Sequence, residues 1–365
     1  MTIEDLRTAA TAKMSPVVSA YYNGGSMQMI TLRENQAAFD RFKIRPRILT
    51  DVSVIDTTTT ILGSKTSVPF GFAPSAMHCL AHPDGERATS RAAAKKRVPM
   101  ALSTYSTVSL EDVRMEGSAG DNPYAFQLSI VKDRSTTLSW IKRAETAGYR
   151  ALFITVDAPV LGRRLNEKSG KKFELPEHLS LPNLAPPPSA DGTPTKARSY
   201  HTNGRDASVS WRSAIPWVKQ NTKLEIWLKG VYTPADVQLA IQYGLNGVII
   251  SNHGGRQLDG VPATIDALAE CAPVARGRIK IGIDGGIYRG TDIFKALALG
   301  ADFCFLGRVP LWGLAYGGQE GVERAVDILE DELRLAMALA GCPSIKDITK
   351  DHLSVLGVNG LLCKL

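Results

Sequence analysis

Residues 280–307 read KIGIDGGIYRGTDIFKALALGADFCFLG, and this stretch contains one complete repeat of the fold. Two short apolar runs, at 280–284 and 301–307, flank residues 291–298, where apolar side chains recur at helical spacing. Each run ends in a turn residue, aspartate in the first and glycine in the second. A strand, a glycine-rich turn, a helix and a second strand predict a βαβ unit with parallel strands.

The same alternation continues towards the N-terminus. Six more short apolar runs, each followed by residues with helical spacing, lie at 68–75, 99–104, 124–130, 151–158, 224–229 and 247–253. A run such as Val248, Ile249 and Ile250 has no polar face, which is typical of parallel strands buried on both sides. Eight strands that alternate with helices predict a closed (β/α)₈ barrel of the TIM type.

The composition is that of an ordinary globular protein, with 365 residues of which 44% are hydrophobic and 22% charged. No run approaches about eighteen consecutive apolar residues, so we expect neither a membrane span nor a secretory signal. The net charge is +7, but the basic residues are dispersed, which argues against nucleic acid and favours a small anionic ligand. The five cysteines are far apart and unpaired in sequence, which predicts reduced thiols and no metal site.

We expect a single domain over residues 1–365, with an N-terminal helical segment at 1–65, the barrel at 66–340 and a C-terminal tail at 341–365. A long insertion at 165–212, rich in Pro, Gly, Ser and Asn in its middle, interrupts the barrel after the fourth strand. Because it leaves the carboxyl end of a strand, we expect a mobile lid on the active-site face. Thr31 and Glu34 have the spacing of a capping box, which predicts that a helix starts there.

Polar side chains stand at the predicted carboxyl ends of nearly all eight strands, which is where barrel enzymes hold their active sites. Gln127 and Ser129 stand two residues apart, as do Thr155 and Asp157, so each pair faces one side of its strand. The other strand-end residues are Ser75, Ser103, Lys229, Ser251, Asn252, His253, Asp284 and Arg308. The sequence therefore predicts one polar pocket at this end of the barrel.

The last two strands end in Asp284-Gly285-Gly286 and in Gly307-Arg308. Glycines at these two ends let main-chain N–H groups approach an anion, and this is the place where the fold binds phosphate. Tight βα turns explain each motif taken singly, whereas their joint occurrence favours a phosphate site with Arg308 as its cation.

Residues 251–259 read SNHGGRQLD and follow the sixth strand. His253 is a candidate base, and Arg256, three positions later, is a fixed cation beside it. A lone histidine is more often structural, but a histidine next to two glycines and an arginine at this rim of a barrel indicates catalysis.

Five motifs together closely resemble the FMN-dependent 2-hydroxy acid dehydrogenase and oxidase family, which is glycolate oxidase-like. They are RPRIL at 45–49, FAPSAMHCLAHPDGE at 72–86, TVDAPVLGRR at 155–164, SNHGGRQLD at 251–259 and IDGGIYRGTDIFKALALGA at 283–301. The resemblance extends over nearly the whole chain and implies the same barrel fold.

By this resemblance, His253 is the active-site base and Asp157 is the carboxylate that orients and stabilises its imidazolium. Arg256 and Arg164 are similar to the pair that clamps the substrate carboxylate, which a planar guanidinium can bind through two oxygens. Tyr21 is similar to the tyrosine that hydrogen-bonds the same carboxylate.

The resemblance also implies FMN as the cofactor and a set of residues around it. The positions that correspond to flavin-ring contacts are Pro74, Ser75, Ala76, Ser103, Gln127 and Thr155. Lys229 is similar to a lysine beside the pyrimidine side of the ring, where positive charge stabilises the anionic reduced form. The positions for the ribityl chain are Ser251 and Asp284, and those for the phosphate are Gly285, Gly286, Gly307 and Arg308.

Two departures from the family lie in the predicted site. Ser129 stands where the family usually has a tyrosine, and it is expected to line the substrate pocket with Tyr105 and Leu161. We therefore expect an enlarged pocket and a bulkier or atypical 2-hydroxy acid. Tyr288 stands where the family usually has an arginine directed at the phosphate, so we expect weaker and more salt-dependent binding of FMN.

The resemblance implies oxidation of a 2-hydroxy acid to a 2-keto acid, with O₂ as the acceptor and hydrogen peroxide as the product. Three alternatives stay open here: a dehydrogenase that passes electrons to a quinone or a protein, a flavin-binding protein with lost or altered catalysis, and a barrel acting on an amine or amide. Family members also imply a homo-oligomer, a tetramer or an octamer. Cys363-Lys364-Leu365 resembles a peroxisomal address; otherwise the protein is expected in the cytoplasm.

Overall fold

The computed structural model describes residues 1–165, 174–184, 204–357 and 360–364. Three helices and three short strands precede the barrel: α1 (Ile3–Lys13), α2 (Pro16–Asn23), α3 (Ile30–Ala37), β1 (Phe42–Ile44), β2 (Thr59–Ile61) and β3 (Ser64–Thr66). Strands β2 and β3 form an antiparallel hairpin. Ile61 and Leu62 of this hairpin are buried with side chains from the barrel interior.

The predicted TIM barrel is confirmed, because eight parallel strands close on themselves. They are β4 (Phe70–Phe72), β5 (Met100–Ser103), β6 (Tyr124–Leu128), β7 (Ala151–Thr155), β8 (Glu225–Val231), β9 (Gly247–Ile250), β10 (Lys280–Asp284) and β11 (Phe303–Leu306). Each lies within or overlaps one of the eight predicted apolar runs. Strand β11 pairs with both β10 and β4, which closes the cylinder.

The strands are buried on both faces, which is why they read as continuous apolar runs. In β11, Phe303 and Phe305 belong to the cluster that fills the barrel, while Cys304 and Leu306 belong to the cluster outside it. The outer cluster lies between the strands and the surrounding helices. Those helices are α4 (Gly85–Lys96), α5 (Leu110–Glu116), α6 (Arg134–Thr146), α7 (Trp211–Asn221), α8 (Pro234–Gln242), α9 (Thr264–Ala275), α10 (Gly290–Leu299) and α11 (Arg308–Ala340).

The long helix α11 begins directly after β11 and is broken at Gly317 and Gly318, whose backbone angles are not helical. Its N-terminus lies at the carboxyl end of the barrel, which places the first turn beside the predicted phosphate site. No helix in the described part of the chain is both long and apolar enough to cross a bilayer.

The residues assigned to a C-terminal tail contain two more strands, β12 (Leu353–Leu356) and β13 (Leu362–Lys364). Strand β12 pairs with β1 on one side and with β13 on the other. The start of the chain and its end are therefore joined in one small sheet. The cysteines are free, and Cys271, Cys304 and Cys342 are buried, as expected.

The predicted capping box at Thr31 is wrong. Helix α3 begins at Ile30, so Thr31 lies inside its first turn. The Thr31 hydroxyl donates to the carbonyl of Val261 at 3.1 Å and accepts from the N–H of Gly260 at 2.9 Å. A contact with a distant loop has replaced the local cap.

The predicted insertion at 165–212 is described only at its ends. Leu181 and Leu184 are buried, and the carbonyl of Asn183 accepts a hydrogen bond from the Trp140 indole at 2.6 Å. Helix α7 begins at Trp211, just before the predicted end of the insertion. The rest of the predicted lid, residues 166–173 and 185–203, lies outside the described residues.

Candidate active site

A cavity that is partly open to solvent lies at the carboxyl ends of the barrel strands. Nearly all of the residues predicted for the site line it. They are Tyr21, Pro74, Ser75, Ala76, Ser103, Tyr105, Gln127, Ser129, Thr155, Leu161, Arg164, Lys229, His253, Arg256, Asp284, Gly285, Gly286, Gly307 and Arg308. The structure thus brings together residues from both ends of the sequence in a single pocket.

Two predicted residues, Asp157 and Ser251, lie behind the cavity wall instead of lining it. Asp157 follows β7 and accepts from the imidazole of His253. Ser251 follows β9 and is 1% exposed; its hydroxyl oxygen accepts from Lys229 Nζ at 2.9 Å and from the His253 N–H at 3.1 Å. Both residues hold a neighbour that does reach the cavity.

His253 and Asp157 form a hydrogen-bonded pair. His253 Nδ1 lies 3.1 Å from one carboxylate oxygen of Asp157 and 3.3 Å from the other. His253 has a φ of 59°, a left-handed conformation that is uncommon for a non-glycine residue and concentrates at functional sites. With Nδ1 engaged by the carboxylate, Nε2 remains to act on a molecule in the cavity.

Gly230, next to Lys229 in β8, leaves the room that Asp157 occupies. Its φ is +106°, and a Cβ at this position would lie 2.6 Å from Cγ of Asp157. The glycine is therefore required both by the backbone conformation and by the close approach of the carboxylate.

Burial shapes the pKa of both members of the pair. Burial of the imidazole lowers the pKa of His253 below its usual 6.5, and this outweighs the opposite effect of the Asp157 carboxylate. Burial alone would raise the pKa of Asp157, but the charge and hydrogen bond of His253, with help from Lys229, hold it below its usual value. At neutral pH the pair is an ionised carboxylate beside a neutral imidazole, which is the state of a ready general base.

Two arginines from different loops converge on Tyr21, which is carried by α2. The guanidinium carbon of Arg256 lies 4.8 Å from the centre of the Tyr21 ring, and that of Arg164 lies 6.0 Å away. Arg256 also donates to the carbonyl of Tyr21. Two guanidinium groups beside a phenol form a suitable place for a carboxylate.

A row of buried polar side chains covers the floor of the cavity. Lys229 Nζ and Asp284 form an ion pair at 2.8 Å, with side chains 5% and 6% exposed. The amide of Gln127 donates to the Thr155 hydroxyl at 2.9 Å, and Ser103 is buried beside them. Polar groups are costly to bury, so this row indicates a polar ligand with several hydrogen-bonding atoms.

At the other end of the cavity, Gly307 and Arg308 open helix α11. A Cβ at Gly307 would meet no atom within 4 Å, so the glycine faces open space beside the helix N-terminus. The Arg308 guanidinium donates to the carbonyls of Tyr22 at 2.8 Å, Gly24 at 2.7 Å and Gly254 at 3.1 Å. Main-chain N–H groups, a helix dipole and a guanidinium are the usual partners of phosphate.

Tyr288 and Arg289, which follow the glycine turn of β10 after Ile287, point in different directions. Tyr288 lines the cavity and packs on Trp312, with ring centres 5.2 Å apart. Arg289 turns away and bonds to Asp292 and Asp40, each at 2.8 Å. Of the two arginines Arg289 and Arg308, Arg308 lines the cavity and Arg289 does not.

Some residues of the site were not found from the sequence. Gln257 donates to the carbonyls of Asp157 at 3.0 Å and Val160 at 2.9 Å, which fixes the loop after β7. Its position inside the motif SNHGGRQLD is the feature of the sequence that could have indicated it. Arg205 also lines the cavity, although nothing in the sequence around it distinguishes it from other surface arginines.

A TIM barrel that brings together a hydrogen-bonded histidine–aspartate pair, two arginines beside a tyrosine and a glycine at a helix N-terminus has the groups that a flavin-dependent oxidoreductase of hydroxy acids would need. Comparison with known proteins gives the family: the model of the FMN-dependent dehydrogenases matches residues 10–355, and the chain belongs to that family. This family depends on FMN, and its members are oxidoreductases that act on CH–OH groups.

Relatives agree with this assignment. The chain is 52% identical over 361 residues to the oxidase FUB9 of Fusarium oxysporum f. sp. lycopersici, covering 99% of this chain and 92% of that one. It is 45% identical to glycolate oxidase of Spinacia oleracea, covering 96% and 95%. A crystal structure of mandelate oxidase with (S)-4-hydroxymandelic acid superposes with a TM-score of 0.87 at 36% identity, covering 96% and 98%.

The residues of the cavity fit FMN. The buried row of Ser103, Gln127, Thr155 and Lys229 supplies donors and acceptors for a polar ring, and a buried ammonium suits a ring that becomes anionic on reduction. The open space at Gly307, next to the N-terminus of α11, suits the phosphate.

Proposed function

We propose that this protein oxidises a 2-hydroxy acid with a substituent larger than a methyl group to the corresponding 2-keto acid, with O₂ as the acceptor and hydrogen peroxide as the product. The observation that carries the proposal is that His253, paired with Asp157, lines the same cavity as Arg256 and Arg164. A base and a carboxylate clamp are the two requirements for drawing a proton from a bound hydroxy acid.

In this proposal the substrate carboxylate binds Arg256 and Arg164, with Tyr21 as an additional donor. Bidentate binding fixes the hydroxyl-bearing carbon in one orientation. His253 Nε2 then accepts a proton from the substrate, and Asp157 stabilises the imidazolium that forms. FMN, when bound, supplies the acceptor for the two electrons that leave the substrate carbon.

We propose the remaining roles from the places of the residues in the cavity. Pro74, Ser75, Ala76, Ser103, Gln127, Thr155 and Lys229 would hold the flavin ring, Asp284 the ribityl chain, and Gly285, Gly286, Gly307 and Arg308 the phosphate. Ser251 would act through Lys229, whose ammonium it anchors from behind.

The size of the substituent is inferred from Ser129, which lines the cavity together with Tyr105 and Leu161. A serine here leaves space that a large side chain would fill. The mandelate oxidase relative is known with (S)-4-hydroxymandelic acid, which carries an aromatic ring on its hydroxyl-bearing carbon. That precedent on the same fold supports a bulky substituent.

The test is a steady-state screen of the FMN-loaded protein in air. Glycolate, lactate and 2-hydroxy acids with progressively larger substituents are compared by peroxide formation and oxygen uptake. We expect peroxide in proportion to 2-keto acid, with the larger acids preferred. Product formed only with an added quinone or dye would assign a dehydrogenase, and preference for glycolate and lactate would refute the enlarged pocket.

We also propose a homo-oligomer and a peroxisomal location. The location rests on Cys363-Lys364-Leu365, provided that these residues end the mature chain. Leu362–Lys364 form an exposed edge strand; Leu365 lies outside the described residues. Fluorescent protein extended by residues 353–365 should enter peroxisomes, and Lys364→Glu should abolish import. Light scattering of the purified protein would measure the mass of the oligomer.

A further inference from the structure

A second cavity adjoins the active-site cavity at Ser129. Its wall is mostly apolar and comes from α7, from the segment that precedes α7, from the segments that follow β6 and β7, and from β7 and β8. The two cavities share the wall residues Ser129, Thr155, Ala158 and Arg205. A substituent that leaves the active site past Ser129 therefore reaches Arg205.

The backbone of Arg205 is fixed beside the end of β6. Arg205 forms an antiparallel bridge with Val131, and the flanking hydrogen bonds join Lys132 to Gly204 at 2.8 Å and Asp206 to Ile130 at 3.3 Å. Its guanidinium carbon lies 5.5 Å from the centre of the Tyr105 ring, within cation–π range. The backbone of Arg205 is thus held by the bridge to Val131, and its guanidinium is held by Tyr105, which lines the predicted substrate pocket.

The guanidinium of Arg205 is placed differently from those of Arg256 and Arg308. Arg256 and Arg308 donate to main-chain carbonyls, whereas Nε of Arg205 is buried with no hydrogen-bond partner among the described residues. The two acids of the second cavity are engaged elsewhere: Asp206 with Arg134 at 2.9 Å and Asp236 with Thr233 at 2.8 Å. A buried N–H without an acceptor is unfavourable, so a ligand that supplies one gains affinity.

We propose that Arg205 binds a second carboxylate on the substrate, at the end remote from the carboxylate held by Arg256 and Arg164. The inference rests on the proposed function and narrows its substrate class to 2-hydroxy dicarboxylic acids. A guanidinium forms two parallel hydrogen bonds with a carboxylate, and its stacking on Tyr105 keeps the fork in place. An apolar tail that enters the second cavity is the competing occupant, and it would leave the guanidinium unsatisfied.

The experiment compares acids that differ only at the remote end: 2-hydroxyglutarate against 2-hydroxypentanoate, and 2-hydroxyadipate against 2-hydroxyhexanoate. We expect kcat/KM of the FMN-loaded protein to favour the dicarboxylate of a pair by about tenfold or more, mainly through KM. Arg205→Leu should abolish this preference, and Arg205→Lys should retain part of it because the charge remains without the fork. Arg212→Leu, the same change at an exposed arginine at the start of α7, is the matched control.

A second readout separates this inference from the proposed function. The keto acids 2-oxoglutarate and 2-oxopentanoate are titrated against the oxidised protein, and Kd is read from the perturbed flavin absorbance without turnover. Tighter binding of the diacid in the native protein, lost in Arg205→Leu, supports the role of Arg205 even if no hydroxy acid is oxidised. Equal affinities in the native protein, or a preference for the monoacids, would overturn it and assign the second cavity to an apolar tail.

Discussion

The reactivity proposed for His253 depends on a single carboxylate. Asp157 accepts from Nδ1 at 3.1 Å, and Gly230 leaves the space that this carboxylate needs. Asp157→Asn keeps the shape of the side chain but removes the charge that stabilises the imidazolium. We expect kcat/KM to fall by about 10² to 10⁴ with FMN content unchanged, measured by anaerobic flavin reduction and by absorbance. A loss smaller than about tenfold would show that the carboxylate is not needed for the proton transfer.

The pH profile reports the same imidazole. His253 must be neutral to accept a proton, so activity is lost as the pH falls through its pKa. Because burial disfavours the protonated form, that pKa lies below 6.5, and activity should persist to more acidic pH than a solvent-exposed histidine would allow. We expect kcat/KM to have its acidic midpoint below pH 6.5. Asp157→Asn should move it lower still, because the carboxylate favours the charged imidazole; a midpoint above pH 7 would contradict this assignment.

Ser129 sets the space for the substituent. Ser129→Tyr should fill the gap between the two cavities, because serine lines both of them. We expect the ratio of kcat/KM for lactate to that for the best larger acid to rise by about tenfold or more. Ser129→Ala, which keeps the space, should leave the ratio nearly unchanged. Equal effects of the two variants would mean that the serine hydroxyl matters, and not the volume of the side chain.

At the scale of elements, the turn between β10 and α10 decides how FMN is held. Tyr288 faces the cavity, while Arg289 is committed to Asp40 and Asp292. The phosphate end therefore has Arg308 and main-chain N–H groups, and it lacks a second guanidinium among the described residues. This arrangement agrees with the expectation of weaker, salt-dependent binding of FMN, which stays a prediction.

Tyr288→Arg should strengthen the phosphate site. One added charge-assisted hydrogen bond is worth roughly 1.5–3 kcal/mol, so we expect Kd for FMN to fall by about tenfold or more. Quenching of FMN fluorescence at low and high salt measures both Kd and its salt dependence. Tyr288→Phe is the control, since it keeps the packing against Trp312. Unchanged affinity of the Arg variant would show that this position does not reach the phosphate.

The barrel strands could be predicted because the pattern that marks them is local. A parallel strand buried on both faces is a short apolar run, and its carboxyl end is followed by polar residues that share one rim. The cap at Thr31 could not be predicted, because its hydroxyl bonds to Gly260 and Val261, far away in the sequence. Local propensity was overridden there by a tertiary contact.

At the scale of the whole molecule, the two ends of the chain stabilise the site together. Helix α2 carries Tyr21 into the cavity, and Arg308 at the start of α11 bonds to the carbonyls of Tyr22 and Gly24. Strand β1 pairs with β12 near the opposite end of the sequence. No periodicity in the sequence reveals such distant pairings, so the resemblance to a family indicated the role of Tyr21 and the residues alone did not.

Arg205 is the clearest example of a residue whose contacts cannot be predicted from the sequence. The role proposed for it rests on a bridge to Val131, 74 positions earlier, and on its contact with Tyr105. In the sequence it is an isolated arginine at the end of a long insertion. The predicted catalytic residues lie in dense motifs at strand ends, whereas Arg205 could be singled out only when the fold placed it at the wall between two cavities.

The central claim is that the His253–Asp157 pair and the Arg256–Arg164 clamp act together on a hydroxy acid over bound FMN. Anaerobic rapid mixing of the yellow protein with a 2-hydroxy acid panel tests it most directly, by following flavin absorbance. We expect one equivalent of a suitable acid to bleach the flavin in a single turnover, and His253→Gln to retain FMN but lose the bleaching by about 10² or more. A protein that takes up no flavin, or a histidine variant that bleaches at the native rate, would contradict the account.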